Sequence, residues 1–166
     1  ANSGYIDKIA EIADYCVEKY DSHPVFIPMQ YPMDLDISLA IASKMKHTAS
    51  IVTRMYSPDI ILGLTARLKI MVGMRLHSII YAATQCIPLI GLVYEPKVAA
   101  FLKEIDQPSA GSMDNLDTAK ICEQLDISWE NQPEIRKQLR NSKKRLSIMA
   151  QANLTNAYQM LKELKY

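Results

Sequence analysis

Residues 69–83, with the sequence KIMVGMRLHSIIYAA, decide the fold class of this chain. An apolar run, typical of a buried strand of a parallel sheet, leads into Gly73, after which the apolar residues take the spacing of a helix. A strand that enters a helix through such a turn brings free backbone N–H groups and the positive end of the helix dipole together. This arrangement can bind an anion, and we predict Arg75 and His77 in the first turn of the helix beside it.

The same alternation of short apolar strands and amphipathic helices continues on both sides of this stretch. Further strands are predicted at residues 25–29, 49–53 and 88–92, and further helices at 2–20, 35–46, 57–68, 97–105 and 116–125. Residues 106–115 are predicted to be a loop, and a helical pattern runs from residue 133 to residue 166. The chain is therefore predicted to have an α/β fold, with a Rossmann-like parallel sheet, helices on both faces and a long C-terminal helical segment.

Length, charge and cysteine spacing limit the possible functions. A length of 166 residues predicts one Rossmann-like domain, with its core at residues 1–126 and a helical extension at 133–166. A net charge of +1 gives no sign of nucleic-acid binding. Three widely separated cysteines favour a reducing, cytoplasmic location over a disulfide framework or a metal site. No apolar run reaches about 18 residues, so no membrane span is predicted.

Candidate site residues, most of them polar, follow three of the predicted strands. They are Gln30 after the first strand, Gly73, Arg75, His77 and Ser78 after the third, and Tyr94, Glu95 and Lys97 after the fourth. Ligands of open parallel sheets bind beyond the carboxyl ends of the strands. If these strands are neighbours, two cations, a helix N-terminus and an imidazole meet at one edge. Such a set suits a small phosphorylated or carboxylated substrate.

Each of the charged candidates also has a purely structural interpretation. Arg75 can form an ion pair with Glu95 or Asp34 that braces the strand ends. His77 can be a hydrogen-bonded core histidine, and Lys97 can be a solvated lysine. The sequence leaves these alternatives open.

A run of basic residues marks the first half of the C-terminal helical segment. Its members are Arg136, Lys137, Arg140, Lys143, Lys144 and Arg145. This run is typical of a solvated helix face, and the alternative is a patch that faces an anionic partner or another domain.

Two segments of the sequence match a family pattern as a pair. The first is GMRLHS at residues 73–78, followed by AA at 82–83, and the second is IPLIGLVYEPKV at 87–98, followed by FL at 101–102. Over residues 69–105 the chain resembles the C-terminal half of polysaccharide pyruvyl transferases. A looser likeness reaches back to FIPMQ at residues 26–30.

The resemblance implies a GT-B-like arrangement of two Rossmann-like domains with the active site in the cleft between them. This chain would then be the C-terminal domain of a longer protein whose N-terminal domain is missing here. The implied reaction moves the enolpyruvyl carbons of phosphoenolpyruvate to two hydroxyls of a saccharide acceptor, as a cyclic ketal, in cell-surface polysaccharide biosynthesis. Phosphoenolpyruvate is a substrate, and no cofactor or metal is expected. We expect little or no transferase activity from the isolated chain.

The resemblance also implies residue roles. Arg75 matches the motif arginine that holds the phosphate or carboxylate of the donor, and His77 matches the histidine that protonates its methylene carbon. Both are predicted to be catalytic. Gly73, Ser78, Tyr94, Glu95, Lys97 and Gln30 are predicted to contact the substrate. Glu95 occupies a position where the family often has aspartate, which keeps the charge.

Two other functions fit the sequence. One is a GT-B glycosyltransferase domain that binds a nucleotide sugar, although no Glu-rich segment for a ribose follows the fourth strand. The other is a non-catalytic domain that binds an anionic partner through residues 136–145.

Overall fold

The structure of the protein is a computed structural model that describes residues 3–112 and 115–163. The predicted helix positions at residue 2 and at residues 164–166, and residues 113 and 114 of the predicted loop, lie outside the described ranges.

Five strands and seven helices make up the described chain. The strands are β1 (Val25–Phe26), β2 (Ser50–Ile51), β3 (Met71–Gly73), β4 (Leu89–Val93) and β5 (Ser109–Ser112). The helices are α1 (Ser3–Tyr20), α2 (Met33–Lys44), α3 (Pro58–Thr65), α4 (Leu76–Thr84), α5 (Pro96–Glu104), α6 (Thr118–Glu130) and α7 (Gln132–Glu163). The predicted α/β fold is confirmed, and so is the long C-terminal helix.

All strand pairs are parallel, and the strands form two sheets. β1 pairs with β2, while the second sheet has the order β3-β4-β5. Met71 lies opposite Leu89, and Gly73 lies opposite Gly91. Because β3 and β4 are neighbours in register, the turns that follow them open at the same edge of the sheet.

Helices cover both faces of the larger sheet, and the side chains of β4 alternate between the two cores. Leu89 packs with residues of α4, α5 and α7, whereas Ile90 packs with residues of α1 and α6. Gly91 allows α5 to approach the sheet, since a Cβ atom there would lie 2.1 Å from Cδ1 of Leu102. Two-sided burial explains why β4 is a continuous apolar run in the sequence.

The prediction of a loop at residues 106–115 is wrong in part, because Ser109–Ser112 forms β5. This segment has the small and polar residues of a loop, yet it pairs with β4 and buries Ala110. Pairing with a central strand overrides a weak strand propensity. The register shifts between Gly91 and Val93, so the edge strand is irregular.

Across residues 3–112 and 115–163, no helix combines the length and the hydropathy needed to cross a bilayer. The same ranges contain no cluster of three side chains suited to holding a metal ion.

Candidate functional site

A cleft of about 390 Å³ opens where the ends of β1, β3 and β4 meet. It is lined by Met29, Gln30, Arg75, Leu76, His77, Tyr94, Glu95 and Lys97. The predicted convergence of the three strand ends is therefore present, and six of the eight predicted site residues line one cavity.

Arg75 occupies the N-cap of α4, one residue before the predicted first turn. Its Nη2 donates to Oδ1 of Asp34 at 2.7 Å, and its Nε donates to Oδ2 at 3.3 Å. The side chains of Arg75 and Asp34 are only 22% and 14% exposed. Of the two predicted partners of Arg75, Asp34 and Glu95, it is Asp34 that forms the ion pair.

Asp34 joins the loop after β1 to the turn after β3. Besides Arg75, its carboxylate accepts the backbone N–H groups of Met29 at 3.2 Å and Gln30 at 2.9 Å. Burial raises the pKa of Asp34, but the hydrogen bonds from Arg75 and Gln30 outweigh burial, so the pKa lies below its usual value. Asp34 is thus a charged clamp that fixes the guanidinium before any ligand arrives.

The clamp leaves part of the guanidinium free. Two of the N–H groups of Arg75 bond Asp34, so the others can bind a ligand in the cleft. The ring of Tyr94 lies 5.7 Å from Cζ of Arg75, close enough for a cation–π contact. Arg75 is therefore held from two sides and still faces the cleft.

His77 is the second residue of α4, and its side chain is exposed in the cleft. No hydrogen bond joins its imidazole to another residue of the described ranges. The interpretation of His77 as a core histidine is therefore wrong. A free imidazole at a helix start can exchange a proton with a ligand in the cleft.

Lys97 is paired rather than simply solvated. Its Nζ lies 2.6 Å from Oε2 of Glu95, with side-chain exposures of 57% and 38%. Lys97 lowers the pKa of Glu95, and Glu95 raises the pKa of Lys97. An ion pair this exposed contributes little to stability, so Lys97 can turn to an anionic ligand at small cost.

Gly73 and Ser78, the remaining predicted site residues, do not line the cleft. The hydroxyl of Ser78 is buried and donates to the carbonyl of Arg75 at 2.7 Å. A Cβ atom on Gly73 would lie 2.9 Å from that hydroxyl oxygen. The two residues fit against each other and shape the turn that presents Arg75.

Two helices begin at the cleft. α4 supplies Leu76 and His77 from its first turn, and α5 supplies Lys97. The first N–H groups of a helix have no acceptor within the helix, and the helix dipole is positive at this end. α4 therefore offers backbone donors as well as a charged side chain to an anion, whereas α5, whose first residue Pro96 has no N–H group, contributes mainly its dipole and Lys97.

Two residues near the site were missed by the sequence analysis as site residues. Asp34 was considered as a possible partner of Arg75, but its bonds to the N–H groups of Met29 and Gln30 were not predicted, although aspartate near a turn commonly accepts from nearby backbone. Tyr5 of α1 lies near the clamp; burial raises its pKa, and the charge of Asp34 raises it further. No local signal links Tyr5 to this place, because α1 reaches the site only through the fold.

Three of the six residues in the basic run of α7 bond backbone carbonyl groups of other segments. Arg136 donates to the carbonyls of Leu68, Lys69 and Cys86, at 3.3 to 3.4 Å. Lys143 donates to the carbonyl of Thr84 at 2.8 Å, at the end of α4. Arg145 bonds Glu104 at the end of α5. Cations at helix C-termini stabilise the helix dipole, so this run attaches α7 to the domain.

Comparison with protein families gives a match that includes most of the cleft. The model of the family described as polysaccharide pyruvyl transferase matches residues 1–96, more than half of the 166 residues. The matched range includes Gln30, Arg75, His77, Tyr94 and Glu95, and it ends one residue before Lys97. Comparison with curated proteins and with solved structures gives no significant match. The chain belongs to the polysaccharide pyruvyl transferase family, a family of transferases.

Proposed function

We propose that this chain is the donor-binding domain of a pyruvyl transferase that uses phosphoenolpyruvate in the biosynthesis of cell-surface polysaccharide. One observation carries this proposal: Arg75, His77 and Lys97 line a single cleft at the start of two helices. Phosphoenolpyruvate carries a phosphate ester and a carboxylate on the same carbon. A cleft with two cations and two helix N-termini suits such a compact pair of anionic groups.

The charged side chains of the cleft balance one another, which suits exchange of a carboxylate partner for an anionic ligand. Arg75 and Lys97 are opposed by Asp34 and Glu95, one carboxylate for each cation. The partly buried pair of Arg75 keeps its geometry, while the exposed pair of Lys97 can open. A donor anion would bind the free N–H groups of Arg75 and displace Glu95 from Lys97.

His77 supplies the general acid in this proposal. Its imidazolium donates a proton to the methylene carbon of phosphoenolpyruvate, and the C=C electron pair forms the new C–H bond of a methyl group. The adjacent carbon becomes oxocarbenium-like, a sugar hydroxyl attacks it, and the C–O bond to phosphate breaks. A second hydroxyl then closes the ketal. Of the two hydroxyl protons released, one restores the imidazolium and the other leaves with the phosphate.

Binding of the saccharide acceptor requires residues on the opposite side of the cleft. In the proposed GT-B-like arrangement the N-terminal domain of the full-length protein provides them. The 166-residue chain alone should therefore fold but give little or no turnover. Phosphate release by the isolated chain, at the rate of the full-length enzyme with donor and acceptor present, would contradict this division of roles.

We also propose the cytoplasm as the location. The three cysteines, Cys16, Cys86 and Cys122, are free thiols, which supports a reducing compartment. Burial raises the pKa of the Cys16 thiol to about 11, so this group is chemically quiet.

Phosphate release by the full-length enzyme tests the role of His77. We expect His77→Gln to lower kcat by about 10²- to 10⁴-fold and to change the KM for phosphoenolpyruvate much less, because the proton is needed only in the transition state. His47→Gln is the matched control, since His47 is exposed and contacts Glu18, away from the cleft. An unchanged kcat in His77→Gln would contradict the proposed acid.

A further inference from the structure

An apolar groove separates the two sheets. It has a volume of about 780 Å³, and both β1 and β3 line it. In residues 3–112 and 115–163, β1 pairs only with β2, and β3 pairs only with β4. β1 and β3, whose carboxyl ends both lie at the cleft, thus border one groove without bonding each other across it.

The backbones of both bordering strands have free edges toward the groove. The carbonyls of Pro24 and Phe26 accept N–H groups from β2, so alternation directs the backbone of Val25 and Ile27 to the other side. The N–H of Met71 donates to Pro88 beside β4, at 2.9 Å, so the backbone of its neighbour Val72 faces the groove. Unpaired N–H and C=O groups in apolar surroundings are costly, which favours a partner strand.

Helices cover the groove from both layers of the fold. Its apolar side chains include Ile12 of α1 and Leu125 of α6, which belong to one core, and Ile61 and Leu64 of α3. Cover from both layers is what a central strand of a parallel sheet receives.

The direction of α1 shows where the missing strand ends. Tyr5, near the start of α1, lines the groove together with Arg75, at the carboxyl end of β3. The other end of α1 is followed directly by β1. In the short connection, the hydroxyl of Ser22 donates to the carbonyl of Cys16. The chain therefore enters α1 from the carboxyl edge of the sheet, as it would after a strand parallel to β1 and β3.

We propose that a sixth parallel strand fills this groove, and that the segment directly preceding α1 in the full-length protein forms it. The order then becomes β2, β1, sixth strand, β3, β4, β5, which is the 3-2-1-4-5-6 order of a doubly wound sheet. α1 and α2 lie against each other. The connection from the sixth strand to β1 and the connection from β1 to β2 therefore cross the same face of the sheet in the same direction, as right-handed crossovers require. The two sheets become one sheet.

Hydrogen exchange of the full-length protein, followed residue by residue by NMR, tests the proposal. The amides of Val25, Ile27 and Val72 should exchange within about tenfold of Met71 and Gly91, which bond neighbouring strands. Exchange about 100-fold or more faster than that of Met71 would overturn the proposal. Protection that disappears when the protein is diluted would assign the strand to a second copy and would also overturn it.

The residues encoded directly before α1 give an independent test. A central strand requires a nearly continuous apolar run of about four to eight residues, rich in Val and Ile, that ends shortly before Ser3. A charged segment or one with helical spacing at this place would contradict the proposal.

Discussion

The carboxylate of Asp34 connects two halves of the candidate site at the scale of a single residue. It accepts hydrogen bonds from two backbone N–H groups and from the guanidinium of Arg75, with little exposure to solvent. A partly buried cation that loses its counter-charge is left with unsatisfied donors. The position of Arg75 therefore depends on a residue 41 positions earlier in the chain.

Asp34→Asn should lower the free energy of unfolding by about 1–3 kcal/mol, because the amide cannot neutralise Arg75 or accept all of these bonds. Urea unfolding measures this change. Asp36→Asn is the matched control in the same turn of α2; Asp36 is exposed and has no side-chain bond within the described ranges, so we expect a change within about 0.5 kcal/mol. Equal effects of the two substitutions would show that the clamp does not stabilise the fold.

Asp126 forms a second cluster, which the sequence did not predict. Its carboxylate accepts from Nζ of Lys19 at 2.6 Å, from the hydroxyl of Tyr15 at 2.7 Å and from the hydroxyl of Tyr20. Trp129 stacks on Tyr20, with ring centroids 4.3 Å apart. The hydrogen bonds from Lys19 and Tyr20 lower the pKa of Asp126 from 3.8 to about 2. These contacts join α1 to α6.

The lowered pKa predicts how stability depends on pH. A carboxyl group whose pKa falls on folding stabilises the protein above its unfolded pKa, and this contribution is lost as the pH falls through the folded pKa. For Asp126 the loss should occur between about pH 4 and pH 2. Asp126→Asn should lower the thermal midpoint at pH 7 and flatten its decline in that window. Parallel curves for the two proteins across the window would contradict the prediction.

At the scale of elements, the sequence predicts best where local pattern and tertiary environment agree. The run of β4 is apolar because it is buried on both faces, and the strand–Gly–helix change at Gly73 follows directly from the residues. β5 was missed, because its pairing with β4 supplies what Ser109, Ala110 and Gly111 lack in propensity. The division of the strands between two sheets was also not predicted, since strand order depends on contacts distant in sequence.

The basic run of α7 shows a similar limit. Charge at helical spacing is compatible with both a solvated face and a partner surface, and neither predicts bonds to carbonyls at the ends of other elements. Arg136 bonds three carbonyls that precede it by 50 to 68 residues. Only the assembled fold brings these groups together.

Arg136→Met should lower the free energy of unfolding by about 1 kcal/mol, because charge-assisted bonds to backbone carbonyls are lost while the aliphatic contact stays. Arg140→Met provides the control, since Arg140 is exposed on the same helix and bonds no residue in the part of the chain that the structure describes. We expect the control to stay within about 0.5 kcal/mol. Chemical denaturation distinguishes the two variants, and a loss in Arg140→Met as large as that in Arg136→Met would contradict the attachment role.

At the scale of the whole molecule, the groove and the cleft have two residues in common. Met29 and Arg75 line both cavities. A strand in the groove would fix the end of β1 relative to the end of β3, and with it the distance between Gln30 and Arg75. The proposed strand would therefore complete the sheet and position the candidate site together.

The family and the position of the cleft could be predicted from the sequence because they depend on two local motifs. The resemblance read from residues 69–105 is confirmed by the family match. Six of the predicted residues line the cleft, whereas Gly73 and Ser78 support the turn behind it. The sequence left Asp34 and Glu95 open as partners of Arg75, because the pairing depends on how segments distant in sequence come together. The pair of Lys97 with Glu95, two residues earlier, was not predicted.

Binding of phosphoenolpyruvate to the full-length protein, measured by isothermal titration calorimetry, tests the central claim most directly. We expect binding of phosphoenolpyruvate and none of a panel of nucleotide sugars. Arg75→Gln should weaken binding at least about tenfold, or about 1.4 kcal/mol, while the matched control Arg140→Gln should leave it unchanged. Unchanged affinity in Arg75→Gln, or binding of a nucleotide sugar in place of phosphoenolpyruvate, would contradict the account.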